Sequence, residues 1–194
     1  APRGDVSEHG ASRFFRRRAE GVYDMEDLRA RTRRMTGFLR AHVQANPGRP
    51  VFAMGYSNGA NILASVMFEA PELFDRAVLM HPLIPWTPAP QPGLAGRQVL
   101  LTAGRRDPIC PPEATRRLAD WFRAQGAGVE MLWHPGGHEI AQDEIAAAAR
   151  ASLDEARAEQ NAAFARLSAV AMLPTPATSV SASLLDASAT LSAP

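Results

Sequence analysis

Four short apolar runs, separated by stretches that read as helix or turn, constrain this 194-residue chain more than any other feature. They are VFAM (51–54), RAVLM (76–80), QVLLTAG (98–104) and VEMLWH (129–134). VFAM is continuously apolar rather than alternating, which is the pattern of a parallel strand buried on both faces, RAVLM reads as a second short buried strand, and the other two as a third and a fourth strand. An Ala-rich helix, about 59–69, follows the first run. A helix from Glu113 to Gln125, ended by Gly126, follows the third, and one from about Glu139 to Leu153 follows the fourth. The second run leads into HPLIPWTPAPQPG (81–93), too rich in proline to be anything but loop. Strand–helix alternation of this kind predicts an α/β fold with a mostly parallel sheet flanked by helices.

Ahead of the first strand, residues 24–45 read as a helix. Met25, Leu28, Met35, Leu39 and Val43 follow the 3.6-residue period with arginines opposite, and Asn46-Pro47-Gly48 stops it. Residues 1–23 mix Gly, Ser and Arg and read mostly as loop. Composition shifts after about 153. Residues 154–172 are rich in Ala, Glu and Arg and could continue a helix, whereas 174–194 are Pro/Ser/Thr/Ala-rich and nearly uncharged, so disorder is expected there. The expected organisation is one folded unit over 1–153 and a tail over 154–194.

A 46% hydrophobic content is enough to bury a core, and a net charge of +1 gives no overall pull toward nucleic acid. All 21 basic residues are arginine, but 20 acids nearly balance them, so the bias reads as compositional and not as phosphate chemistry. No run approaches the ~20 apolar residues of a membrane span. One cysteine, Cys110, excludes an intrachain disulfide and fits a reducing, cytoplasmic setting.

The junction after the first strand carries the chemistry. Gly55-Tyr56-Ser57-Asn58-Gly59 has the G-x-S-x-G spacing that presents a serine Oγ at a sharp strand-to-helix turn, with glycines relieving the crowding. At about 7% glycine, roughly one chain in twenty of this length would show the motif by chance. Its position between a buried strand and a helix start is what gives it weight. Such a serine needs a base, and the base needs an orienting acid, in the chain order serine, acid, histidine. Asp107, in AGRRDPICP, is the acid between the third strand and the next helix. His138, in HPGGHE, follows the fourth strand. Both sit at C-terminal strand ends, where open α/β sheets place their sites.

The rivals are weaker. Glu72 and Asp75 precede the second strand and lie at the wrong end of the sheet. His134 sits on the end of its strand, too close to the sheet. His81 ends the second strand and reads as a core or loop histidine bordering the site, and His9 and His42 have no supporting context. No group of histidines, cysteines or carboxylates shows metal-ligand spacing, so no metal is expected. The Asn58 N–H is the expected oxyanion donor. A second donor normally comes from a loop after an earlier strand, and no such loop precedes VFAM.

With these residues in place, the chain resembles the phospholipase/carboxylesterase family of α/β hydrolases, small bacterial esterases related to the acyl-protein thioesterases. PRGDVSEHGASRFFRR, VFAMGYSNGANI, VLMHPLIPW, LLTAGRRDPICPP and WHPGGHEI carry the likeness, over about residues 2–153. The resemblance implies nucleophile Ser57, acid Asp107 and base His138, and cofactor-free hydrolysis of a small carboxylic ester or thioester. It also makes Leu83, Ile84, Trp86, Ile109 and Cys110 candidates for an apolar acyl pocket. Members of that family begin with further strands and an oxyanion loop, so 1–153 is expected to be the C-terminal part of a hydrolase domain, with the N-terminal strands missing. The alternative expectation is a non-catalytic relative that binds a partner through an open sheet edge, and a second copy of the chain is a candidate partner.

Overall fold

The computed structural model describes residues 2–8, 10–153 and 161. Contacts divide the chain into two units, Ala1–Glu155 and Ala156–Pro194. The expectations of a helix over 154–172 and disorder over 174–194 lie outside the described residues, apart from Asn161, which is helical.

The segment expected as loop forms two antiparallel hairpins. Strand β1 (Val6–Glu8) pairs with β2 (Ala11–Arg13), and β3 (Arg17–Ala19) pairs with β4 (Val22–Tyr23). Strands of two or three residues are too short to show a period of two, so sequence patterning misses them. Gly10 and Gly21 turn the two hairpins with φ of 82° and 69°, backbone that favours glycine.

Helix α1 (Met25–Ala45) starts at Asp24, whose side chain accepts from the Asp27 N–H at 3.1 Å. Leu28 is buried on its inner face, and Met35, Leu39 and Val43 pack against the main core. Strand β5 (Phe52–Tyr56) then leads through Ser57 into α2 (Asn58–Glu69), and β6 (Arg76–Met80) follows. Strand β7 (Gln98–Gly104), α3 (Pro112–Ala124) and β8 (Gly128–His134) complete the alternation. A further helix, α4, covers residues 142–153. It begins three residues later than expected, and ahead of it Glu139 turns its carboxylate back onto the Gly137 N–H, both oxygens at 3.0 Å.

The four long strands form one parallel sheet in the order β5-β6-β7-β8. Alternate residues explain the unbroken apolar runs. Ala77, Leu79, Val99 and Leu101 face a core shared with Met67, Phe74 and Phe122, whereas Val78, Met80 and Leu100 face Ala147, Ala148 and Ala151 of α4. Both faces of β6 and β7 are therefore buried, as parallel strands require. Strand β5 is an edge, and among the described residues nothing pairs with its outer side. Met54 stands 64% exposed there. No helix among the described residues is long and apolar enough to cross a membrane.

Leu101 lies on the interior strand β7 and is fully buried. Leu101→Ala is expected to cost about 2–5 kcal/mol, read as a lowered midpoint in urea unfolding followed by circular dichroism.

Candidate active site

Three C-terminal strand ends converge on one point. Ser57 sits between β5 and α2 with φ 52° and ψ −115°, a conformation that a serine adopts only when its surroundings enforce it. Two backbone bonds do so: Ser57 N–H donates to Met80 O at 2.9 Å, and Asn61 N–H donates to Ser57 O at 3.0 Å. The strained turn thrusts the hydroxyl away from the sheet.

His138 Nε2 lies 2.9 Å from Ser57 Oγ, and His138 Nδ1 lies 2.7 Å from Asp107 Oδ2. The three residues selected from the sequence are thus brought into one hydrogen-bonded line. With Asp107 ionised, the Nδ1–H donates to it, which leaves Nε2 free to accept the serine proton. Tyr56 O–H donates to the His138 carbonyl at 2.5 Å and fixes the loop that carries it. Burial and the Asp107 charge raise the Tyr56 phenol above its ordinary pKa, so it remains the donor.

The Asp107 side chain is fully buried. Its Oδ1 accepts the Ile109 and Cys110 N–H groups at 2.8 and 2.9 Å. Its Oδ2 is shared between His138 and His81, whose Nδ1 also lies at 2.7 Å. Burial works against ionisation, but the bonds from His81, the Cys110 N–H, His138 and the Ile109 N–H outweigh it and hold the carboxyl below its ordinary range.

His81 is closer to the chemistry than a core histidine would be. It too has positive φ, 51°, and its ring meets the His138 ring edge-on with centroids 5.2 Å apart. His134, the weaker candidate base, is buried behind it, with its Nε2 3.4 Å from His81 Nε2 and its Nδ1 accepting the Gly136 N–H. Glu144 of α4 completes the group. Its Oε1 lies 3.0 Å from His81 Nε2 and its Oε2 lies 3.5 Å from His134 Nε2. Sequence reasoning passes over Glu144, which the helix expected from Glu139 places as an ordinary acid in its second turn. It does cap, accepting the Ala141 N–H at 2.6 Å, but nothing in the sequence marks it as buried.

His81, His134 and Glu144 stand close enough together to enclose an ion, as do His81, Asp107 and His138. Hydrogen bonding disfavours both readings. The Gly136 N–H occupies the His134 Nδ1 lone pair, so the proton of a neutral His134 sits on Nε2, the nitrogen that would have to ligate. In the second group, both Nδ1 atoms are engaged by Asp107.

Around Ser57 runs a cavity of about 830 Å³ along the outer edge of β5, lined by Phe14, Met54, Tyr56, Asn58, Ile109 and His138 among others. Of the five residues expected to form an acyl pocket, Ile109 lines this cavity. Leu83 and Cys110 pack beneath it with Ala114, and Ile84 and Trp86 face a separate hollow beside Arg117 and Trp121. The reason is a tether that the sequence does not announce. Asn61 Oδ1 accepts the Leu83 N–H at 2.7 Å, and Tyr23 O–H, itself bonded by Asn61 Nδ2, donates to Leu83 O. These bonds draw the proline-rich loop down onto α2. Burial and the Asp107 charge push the Cys110 thiol up, so it stays protonated and packs. Asn58, the expected oxyanion donor, follows the serine at the first position of α2. Its side-chain Oδ1 accepts the Phe14 N–H at 2.7 Å.

A parallel sheet with a strained serine at a strand-to-helix turn, and an acid and a histidine on later strand ends, is the plan of the α/β hydrolases. Comparison with known proteins narrows the class. The chain belongs to the dienelactone hydrolase family, whose model matches residues 13–168. It is 42% identical over 146 residues to the putative hydrolase MhqD of Bacillus subtilis (strain 168), covering 73% of this chain and 72% of the relative. Among solved structures, it is similar to Atu2452, a protein of unknown function from Agrobacterium tumefaciens str. C58, at 58% identity and TM-score 0.72, covering 76% of this chain and 72% of that one. It is also similar to the Bacillus cereus carboxylesterase at 39% identity and TM-score 0.68, covering 74% of this chain and 68% of that one. The esterase likeness read from the motifs is borne out, and the chain is a hydrolase of the dienelactone hydrolase/carboxylesterase type.

The two motif glycines are not equivalent. A Cβ at Gly55 would lie 2.5 Å from the Gly59 backbone, whereas a Cβ at Gly59 would meet only the Phe14 ring at an ordinary 3.5 Å. Gly55→Ala is expected to lower the thermal unfolding midpoint markedly and Gly59→Ala to leave it within a degree or two of wild type, as differential scanning fluorimetry would show.

Proposed function

We propose that this chain cleaves carboxylic esters, thioesters included, through an acyl-enzyme on Ser57. The observation that carries the reading is the continuous line Ser57 Oγ–His138 Nε2, His138 Nδ1–Asp107 Oδ2, at 2.9 and 2.7 Å. His138 Nε2 takes the proton as Ser57 Oγ attacks the ester carbonyl. Asp107 holds the ring in the tautomer that allows this and stabilises the cation that forms. The Asn58 N–H, at the N-terminus of α2, faces the developing oxyanion. His138 then returns the proton to the leaving alcohol or thiol, and water attacks the acyl-serine by the reverse sequence. Each step conserves protons within the three residues and the substrate, so the chemistry needs no cofactor. The family name points the same way, since a lactone is a cyclic ester.

A second reading, a binding module that engages a partner at the sheet edge, is favoured by the exposed outer side of β5 at Met54. The Phe14 N–H lines the same cavity but is already taken by Asn58, so it is not free as a second oxyanion donor. Attack on a strong electrophile tolerates the loss of an oxyanion donor, which typically costs about 10²–10³ in rate. A fluorophosphonate probe is therefore expected to label the wild-type chain once, on Ser57. Labelling lost in Ser57→Ala, and reduced at least about 10²-fold in His138→Ala, supports the hydrolase reading. Labelling that survives Ser57→Ala, or a wild-type chain that takes no label, overturns it.

A further inference from the structure

One side chain beside the serine line touches the base at two places and takes no part in the proton transfers. The G-x-S-x-G spacing leaves the residue before the serine free to vary, and here it is Tyr56, the last residue of β5. Tyr56 lies opposite Met80 in the parallel register, so its ring reaches His81, the next residue along that strand, edge-on with centroids 5.7 Å apart. It also lies against the His138 ring, with centroids 5.3 Å apart and planes at 37°. Its hydroxyl donates to the His138 carbonyl, 82 positions along the chain, at 2.5 Å.

What else holds the His138 main chain decides what that hydroxyl does. Two glycines, Gly136 and Gly137, precede the base and give its loop little stiffness of its own. Gly136 O accepts the Arg106 N–H at 2.9 Å, and the Gly136 and Gly137 N–H groups donate locally to His134 Nδ1 and to Glu139. None of these bonds reaches His138. Among the described residues, the one hydrogen-bond partner of the His138 main chain is the Tyr56 hydroxyl. Asp107 and Ser57 hold the two ring nitrogens, but the backbone that bears the ring is held by Tyr56.

We propose that Tyr56 is a positioning residue, whose hydroxyl ties the His138 main chain to the nucleophile's own turn. The tie runs from Ser57 through one peptide bond to Tyr56, then across its side chain to the His138 carbonyl. It is a short route that bypasses Asp107, so the base keeps its register with the nucleophile even as its glycine-rich loop moves. Without the hydroxyl, Asp107 still bonds the ring, but Nε2 meets Ser57 Oγ in line for a smaller share of the time, and proton transfer is sensitive to displacements of this kind. The kinetic consequence rests on the hydrolase reading, whereas the restraint on the loop does not.

Tyr56→Phe removes the hydroxyl and retains a ring for both histidine contacts, and the full chain provides two readouts. Amide hydrogen–deuterium exchange over residues 136–140 is expected to quicken about tenfold, the worth of one hydrogen bond, with β6 unchanged. The limiting rate of fluorophosphonate inactivation at Ser57 is expected to fall by a similar factor, with the half-saturating probe concentration unchanged. If the ring serves only as cavity wall, exchange and inactivation both match wild type, and the proposal is overturned. Faster loop exchange with an unaltered limiting rate also overturns it, since the hydroxyl would then hold the loop without positioning the base. So does faster exchange throughout the chain, β6 included, which would be a general loss of stability. A wild-type chain that takes no label sinks the hydrolase reading instead, and the exchange measurement still shows whether the hydroxyl holds the loop.

Discussion

One carboxylate oxygen organises this end of the molecule. Asp107 Oδ2 takes a ring N–H from His138 on one side and from His81 on the other, each at 2.7 Å, while Oδ1 takes two backbone N–H groups from its own loop. Four donors to one buried carboxyl hold it as an anion, and the anion fixes the rings of both histidines. The β6, β7 and β8 strand ends, which carry His81, Asp107 and His138, are tied together by these bonds as much as by the sheet. Without Asp107, two strained loops would lose the group that justifies their geometry, and the alignment with Ser57 would lose its anchor.

Much of this was legible from residues. The continuous apolar runs announced strands buried on two faces, and β6 and β7 match the expected bounds residue for residue. Ser57, Asp107 and His138 could be picked out because the fold's chemistry demands a fixed order and strand-end placement, and those constraints survive in one dimension. What stayed hidden depends on packing. The β1–β2 and β3–β4 hairpins are too short for periodicity. The path of the 81–93 loop depends on Asn61 and Tyr23, whose bonds to Leu83 join residues 22 and 60 positions apart. Glu144 looks like any helix-capping acid until the fold buries it against His81.

Among the described residues, two other than glycine hold positive φ, Ser57 and His81, and they flank the Asp107–His138 pair. Strain of about 1–3 kcal/mol at each persists only where the surroundings over-determine it. At Ser57, the α2 N-terminus and the close approach allowed by Gly55 provide that restraint. At His81, the buried carboxylates on either side do. The outer edge of β5 contrasts with this well-satisfied interior. It borders the Ser57 cavity and leaves Met54 in the open.

The account turns on covalent chemistry at one oxygen. Brief exposure of the chain to p-nitrophenyl acetate, followed by an acid quench and peptide mass spectrometry, reads it directly. An acetyl group on the peptide that carries Ser57, absent from the same peptide of His138→Ala, is the predicted result. Release of p-nitrophenol with the Ser57 peptide unmodified at every quench time, or with the acetyl group on another residue, would contradict it.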